Sequence, residues 1–411
     1  MKKIILFILI ISRLVFSASL EEIEKACYES PKYTAECVYL GNVYLFAKNV
    51  TRDTKKAIKF HKRACDNKDS MGCGMLGIHY YTGEFLKQNF DKYEYFMSKS
   101  CEYGNGSDCF HLAEEYNSDK NIKKDPSKAM EFYTKACDLN NSDGCRLLGL
   151  QIFKENNTTH NLLEVEKYTT KACKLNDSEG CMLSAMLFVD NSALPMDLKK
   201  ANIFLNKACD GNISDACFRL GLIYEYDKQR QGHYKKAFEL YEKACILCNM
   251  SACYNLASLY NRGKGVKQDY QLARQYYEKT SDNNFTQGTF ALGMMYIDGK
   301  KIVKDYQKGV HLLKKACNAN YYKACDNLGL IYMYSKAYDK AVKLYQRTCK
   351  KNNFQACNNL GVMYENGLGV KQDIEKTKQL YKKACAGGLK PSCKALKILD
   401  GYKKDYYDNS H

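Results

Sequence analysis

The cysteines constrain this chain more than any other feature, because they keep a ruler. Cys65/Cys73, Cys101/Cys109, Cys137/Cys145, Cys173/Cys181, Cys209/Cys217, Cys245/Cys253, Cys317/Cys325, Cys349/Cys357 and Cys385/Cys393 each enclose seven residues, and Cys27/Cys37 is a looser first pair. First cysteines recur every 36 residues from Cys65 to Cys245. The next slots hold Ser281 and Thr289, after which the ruler resumes at Cys317, steps 32 to Cys349 and 36 to Cys385. A period of this size with no strand patterning predicts an array of about ten helical hairpins.

The rest of each unit keeps the same beat. The second-cysteine slot is followed at +3 and +4 by Leu-Gly or Leu-Ala and at +7 by Tyr, as in Cys217, Leu220, Gly221, Tyr224 and in Cys357, Leu360, Gly361, Tyr364. That spacing lies on one helix face. Loops such as Gly263 to Asp269 and Gly367 to Asp373 follow. Their glycines suit a helix C-terminus, and the Asp suits an N-cap. Asp53, Asp125, Asp197, Asp269, Asp305 and Asp373 all stand twelve residues before a first-cysteine slot. Pro126 occupies the first helical position after Asp125, and Ala57, Ala129, Ala201, Ala237, Ala273 and Ala341 mark a close helix contact.

Eight residues of continuous helix would hold two cysteines about 12 Å apart. A disulfide needs Cα atoms within about 7 Å. The chain must therefore reverse between the members of each pair, and the turn-rich residues 138–144 are suited to that. Ten disulfides are predicted, each tying the end of one helix to the start of the next. Zinc would need clustered ligands at shorter spacing, so no metal is expected. Cys248 is left over as a free thiol, and three residues after Cys245 it is expected to be buried and inert.

Disulfides imply an oxidising compartment. Residues 1–19 fit, with Lys2 and Lys3, an apolar run from Ile4 to Ile11, and Ser17-Ala18-Ser19, which read as a cleaved signal peptide. Secretion or periplasmic location follows, with no transmembrane span, repeats over 20–398 and a polar tail over 399–411. The 63 basic and 46 acidic residues give a net charge of +17, three of which belong to the leader.

With these motifs in place, each unit resembles the SEL-one-like repeat, a relative of the tetratricopeptide repeat. The C-x7-C pairs, L-G-x-x-Y and G-x-G-V-x-x-D are similar to those of the Helicobacter cysteine-rich proteins. The resemblance covers residues 27 to about 398, departing at Ser281/Thr289 and Cys248. It implies an all-α, right-handed superhelical solenoid of antiparallel helix pairs, exported and stapled by disulfides. It also carries a β-lactamase or penicillin-binding label.

The residues themselves add no chemistry to that label. No Ser has Lys three residues on, although Lys279-Thr280-Ser281-Asp282-Asn283 mimics two serine-enzyme motifs. The histidines are scattered, no phosphate-binding glycine motif occurs, and no cofactor is expected. A β-lactam-binding or hydrolysing protein remains the alternative reading, on resemblance alone, with the catalytic residues unknown.

The first reading is a binding protein for peptide, protein or peptidoglycan-type fragments, expected as a monomer and not as a nucleic-acid binder. Solenoids present a long concave face built by one helix of each pair. Position +2 after the second-cysteine slot lies outside the core stripe and reads Tyr39, Met75, His111, Leu147, Leu183, Arg219, Asn255, Ala291, Asn327 and Asn359. In the tetratricopeptide relatives a matching Asn clamps peptide backbone, which implies that role for Asn255, Asn327 and Asn359. Arg219 and His111 are further ligand-binding candidates on the same line. Two residues before every first-cysteine slot stands a cation, from Lys25 and Arg63 to Arg347 and Lys383. It complements the helix dipole there and forms a basic ladder suited to anionic ligands.

Overall fold

In the computed structural model of the chain, the described residues are 19–47, 49–118, 120–155, 159–189, 197–226, 233–299 and 302–408. The expected leader lies outside them except for Ser19. The described residues form 22 α-helices and no strand. The chain divides into two compact units, residues 1–216 and 217–411.

The first unit holds α1 (Leu20–Glu29), α2 (Thr34–Phe46), α3 (Thr54–Asp66), α4 (Ser70–Thr82), α5 (Phe90–Glu102), α6 (Gly106–Ser118), α7 (Pro126–Asp138), α8 (Ser142–Glu155), α9 (Thr159–Lys174), α10 (Ser178–Val189) and α11 (Leu198–Asp210). Then come α12 (Ser214–Tyr226), α13 (His233–Ile246), α14 (Met250–Arg262), α15 (Tyr270–Asp282), α16 (Thr286–Asp298), α17 (Tyr306–Asn318), α18 (Tyr322–Tyr334), α19 (Tyr338–Lys350), α20 (Phe354–Asn366), α21 (Ile374–Ala386) and α22 (Lys390–Asp408). Odd-numbered helices end on a first-cysteine slot and are called leading. Even-numbered helices begin at a second-cysteine slot and are called trailing. The last trailing helix continues through residues 399–408, most of the segment expected as a tail.

Leading helices that carry the Asp signal start where it places them, while Ser19 and Asn89 cap α1 and α5 and Ala337 precedes α19 without a side-chain cap. Asp53, Asp125, Asp305 and Asp373 accept the backbone N–H three residues on at 2.9–3.0 Å. This satisfies one of the donors that a helix start leaves unpaired. The reversal between helices is equally regular. The third residue after each first-cysteine slot from residue 65 onward takes a left-handed conformation, as at Asn140, Asn176, Asn212, Asn284, Asn320, Asn352, Gly104 and Gly388. Asn and Gly tolerate that region best.

These reversals close the bridges. Cys27–Cys37 has Cα atoms 5.2 Å apart. In Cys65–Cys73, Cys101–Cys109, Cys137–Cys145, Cys173–Cys181, Cys245–Cys253, Cys317–Cys325, Cys349–Cys357 and Cys385–Cys393 the separation is 4.4–4.7 Å. Cys209 and Cys217 are also disulfide-bonded. At the gap in the ruler, Thr289 Oγ1 lies 3.0 Å from Ser281 Oγ, both buried. A hydrogen bond holds there what a disulfide holds elsewhere.

Packing between repeats explains the Gly at +4. A Cβ on Gly361 would lie 2.6 Å from the ring of Tyr381, four residues before the next first cysteine. Gly221 meets Tyr241, Gly329 meets Tyr345 and Gly41 meets His61 in the same way. Glycine thus admits a large −4 side chain from the following repeat, and Tyr241, Tyr345 and His61 there are fully buried.

One expectation is overturned. Cys248 is free but exposed, not buried. It occupies the left-handed turn slot, with φ 65°, that Asn or Gly fills in most repeats. The helix ends before Cys248, so the residue never returns to the face of Cys245.

Candidate ligand-binding face

On a trailing helix, positions 0, +3, +4 and +7 turn into the core, so +2, +5 and +9 point the other way. The apolar residues left exposed gather there. Ile78, Met186, Leu330 and Ile398 hold +5, and Phe46, Tyr226 and Tyr334 hold +9, the last two 75% and 86% exposed. Tyr39 adds an exposed ring at +2.

Each unit has a pocket at the same register on this face. In the first, Leu150 and Phe153 of one repeat and Leu183, Met186 and Leu187 of the next enclose about 140 Å³ above Val165 and Thr169. In the second, Asn261 of one repeat and Ala291, Met294, Met295, Ile297 and Asp298 of the next enclose about 410 Å³ beside Tyr277. Thr169 and Tyr277 are equivalent −4 residues. Ala291 stands where Leu183 stands in the smaller pocket, and its shorter side chain leaves more room.

The predicted site residues fall on this face with partners of their own. Asn255 is half-buried beside the Tyr241 phenol, and Asn359 likewise lies beside Tyr345. Asn359 Oδ1 also accepts from Gln355 Nε2 at 3.0 Å. Asn327 has Leu313 rather than Tyr at the matching −4 position, and its amide donates to the Lys323 carbonyl at 2.8 Å. His111 is exposed with its ring against Phe110, and Arg219 is half-buried. They lie on different trailing helices, His111 in the first unit and the others in the second, at the same helix register but not in one cluster.

Acidic groups border the face and are held by phenols. Tyr241 donates to Glu225 at 2.8 Å, and Tyr381 donates to Glu365 at 2.6 Å. Burial, then Glu225, raises the Tyr241 pKa, so that phenol keeps its proton. Arg262 pairs with the other oxygen of Glu225 at 2.9 Å.

Sequence reading missed the +5 residues. The signal was present: +5 is apolar at Ile78, Leu150, Met186, Leu222, Met294, Leu330, Val362 and Ile398, outside the core stripe. It also missed a contact between repeats. Arg63 donates to the Cys27 carbonyl at 2.8 Å, Lys315 to the Ser281 carbonyl at 3.2 Å, and Lys383 to the Cys349 carbonyl at 2.9 Å. Lys279 reaches the Cys245 carbonyl at 3.4 Å, and Arg347 reaches Cys317 Sγ at 3.3 Å. These ladder cations therefore cap the preceding leading helix, where a cation complements the dipole. Lys25, Lys99 and Lys135 instead pair with Glu29, Glu102 and Glu131.

A third set was invisible as a set. Tyr44 with Glu24 and Lys56, Tyr116 with Glu94 and Lys128, and Tyr296 with Glu278 and Lys308 form one recurring network. The Lys stands three residues after the Asp cap of the following repeat and bonds back to the Tyr hydroxyl. The spacing is legible, but its target lies in the preceding hairpin.

The geometry gives the β-lactam reading no support. Ser281 is buried and its hydroxyl is engaged with Thr289. The Lys315 amine donates to the Ser281 carbonyl, not to the hydroxyl. Among the described residues, no three His, Cys, Asp or Glu side chains group as a metal would require, and no helix is long and apolar enough to cross a membrane.

A run of hairpins, all but the one at Ser281 and Thr289 closed by a bridge and each offering a helix face outside the core, defines a disulfide-stapled repeat scaffold. Sel1 repeats match residues 37–69, 70–105, 107–141, 214–247, 251–285, 286–321 and 354–389, and a tetratricopeptide repeat matches 324–353. The chain belongs to the Sel1 repeat family, whose members are typically protein-interaction scaffolds. Its structure is similar to a protective antigen of uropathogenic Escherichia coli with an SLR fold, at 19% identity and TM-score 0.77 over 94% of this chain and 83% of that one. Helicobacter pylori cysteine-rich protein B matches at 32% identity and TM-score 0.25, over 33% of this chain and 98% of that one. No curated protein is significantly similar in sequence. The many disulfides point to an oxidising, extracytoplasmic environment.

Proposed function

We propose that this protein is an exported scaffold, secreted or periplasmic, that binds an extended segment of another protein along its trailing-helix face. The recurring pocket carries the reading. Equivalent hollows open between neighbouring repeats in both units, each lined by +8 of one repeat and by +2, +5 and +6 of the next. An extended peptide placing apolar side chains into such hollows would bury surface worth about 25 cal/mol per Å². Asn255, Asn327 and Asn359 would meet its backbone, each exchanging its internal partner for a ligand group.

Selection of displayed random peptides on immobilised, oxidised protein tests this. Enriched peptides should carry spaced apolar residues and lose most of their affinity for a Met186→Asp/Met294→Asp variant. Enrichment that ignores both substitutions, or no enrichment, would overturn the reading.

A further inference from the structure

The positive charge is not spread along the array. Residues 302–397 hold 19 Lys and Arg against six Asp and Glu, whereas residues 20–301 hold 39 against 37. Net +13 of the total +17 therefore sits in less than a quarter of the chain. Most of the six acids there are already engaged. Asp305 and Asp373 cap helices, Asp326 accepts from Asn353, and Glu365 accepts from Tyr381.

The cations form ordered rows on the leading helices α17, α19 and α21. Nine residues before the first-cysteine slot stand Lys308, Lys340 and Lys376, and two before it stand Lys315, Arg347 and Lys383. Seven residues separate the two positions, so they share a helix face. The bonds from Lys315 to Ser281, Arg347 to Cys317 and Lys383 to Cys349 tie each leading helix to the one before it. Those acceptors are neutral, so the charges of Lys315, Arg347 and Lys383 stay uncompensated, whereas Lys308 pairs with Glu278 at 3.6 Å. Lys314 and Lys382, three residues before the slot, and Lys343, six before it, lie beside the rows on the solvent side of the same helices and are exposed, with no carboxylate within 4.0 Å among the described residues.

We propose that this leading-helix face of residues 302–397 is a docking surface for a linear anionic polysaccharide. Eighteen of the 19 cations are Lys, which present hydrated point charges rather than the bidentate fork that selects individual phosphates. The rings beneath the rows, Tyr296 under Lys308 and Tyr364 under Lys376, are buried and cannot stack bases as single-stranded nucleic acid would need. The rows carry no exposed apolar wedge for a bilayer either. The exposed Tyr306 and Ile374 stand two residues before Lys308 and Lys376, which turns them to the other side of their helices. An oxidising compartment places acidic glycans within reach. This surface is separate from the trailing-helix face, and the proposal stands whether or not that face binds peptide.

Heparin is the probe. Affinity of the full oxidised chain should fall steeply with salt. A Lys314→Glu/Lys343→Glu/Lys382→Glu variant should bind more than about tenfold more weakly, with a salt slope reduced by about two to three. A Lys62→Glu/Lys68→Glu/Lys87→Glu variant makes the same charge change in the first unit and should lose far less. Equal losses would make this a net-charge effect and overturn the assignment. Duplex DNA or phosphatidylserine vesicles binding as tightly as heparin would overturn it too, as would no binding at low salt.

Discussion

His61 Nδ1 lies 3.1 Å from His79 Nε2, with both rings buried between the first repeats. Burial, then the neighbouring ring, pushes His61 down to about 4, and burial lowers His79. Both folded values lie below the unfolded value near 6.5. The unfolded chain therefore takes up protons first as pH falls. The stability the neutral pair contributes is complete above about pH 6.5 and is lost between there and about pH 4. For His61 the loss by pH 4.5 amounts to about 2–3 kcal/mol. Amide exchange in α3 and α4 at pH 7.5 and 4.5 measures it. A His61→Tyr/His79→Leu variant uses residues found in these slots elsewhere and should flatten the dependence. An unchanged pH profile in that variant would show that the pair is not the sensor.

Ser281 and Thr289 occupy the one unbridged slot of the ruler. Replacing both by Cys should form a further bridge without moving the backbone. It should raise local stability by about 2–3 kcal/mol under the chain-entropy view. Thiol titration and amide exchange in α15 and α16 read the outcome. Two persistent free thiols after air oxidation would show that the slot has lost the geometry of its neighbours.

Cys248 should be the only thiol that reacts with a thiol reagent before denaturation. Cys248→Asn should abolish that reaction and raise stability by a few tenths to about 1 kcal/mol, because Asn accepts the left-handed turn better. Reactivity that emerges only on unfolding would contradict the exposed position.

Gly361→Ala separates packing from propensity. In a solvated helix the change would stabilise by about 1 kcal/mol. Here the new methyl meets the ring of Tyr381, so a loss of about 1–3 kcal/mol is expected. A gain in the thermal midpoint would mean that the ring has room to move.

What the sequence made legible was whatever repeats within one hairpin. The Asp caps, the turn, the bridges and the core stripe all follow from spacing inside about 36 residues. What it concealed lies between hairpins. Lys383 finds its acceptor 34 residues upstream, and the space beside Gly361 is claimed by a ring 20 residues downstream. Periodicity places such residues on a face without saying which face of the neighbour they meet. Asn255 and Asn327 show the same limit. They share a slot, yet their partners differ because Tyr241 and Leu313 differ one helix away. Cys248 was misplaced for a related reason: its spacing fits a helix, but the chain has already left the helix there.

Each bridge whose two ends are named above joins residues eight or, once, ten apart, so none of these spans two hairpins. Under mechanical load the covalent and non-covalent parts of the molecule would separate. Pulled from its ends, the array would part first at the hydrogen bonds and packed rings between hairpins. Every bridge would keep its enclosed residues, seven or in Cys27–Cys37 nine, out of the extended contour, hiding about 3.3–3.6 Å of reach for each residue. Adding reductant would restore that hidden length while the force is held, and the size of the lengthening would count the bridges.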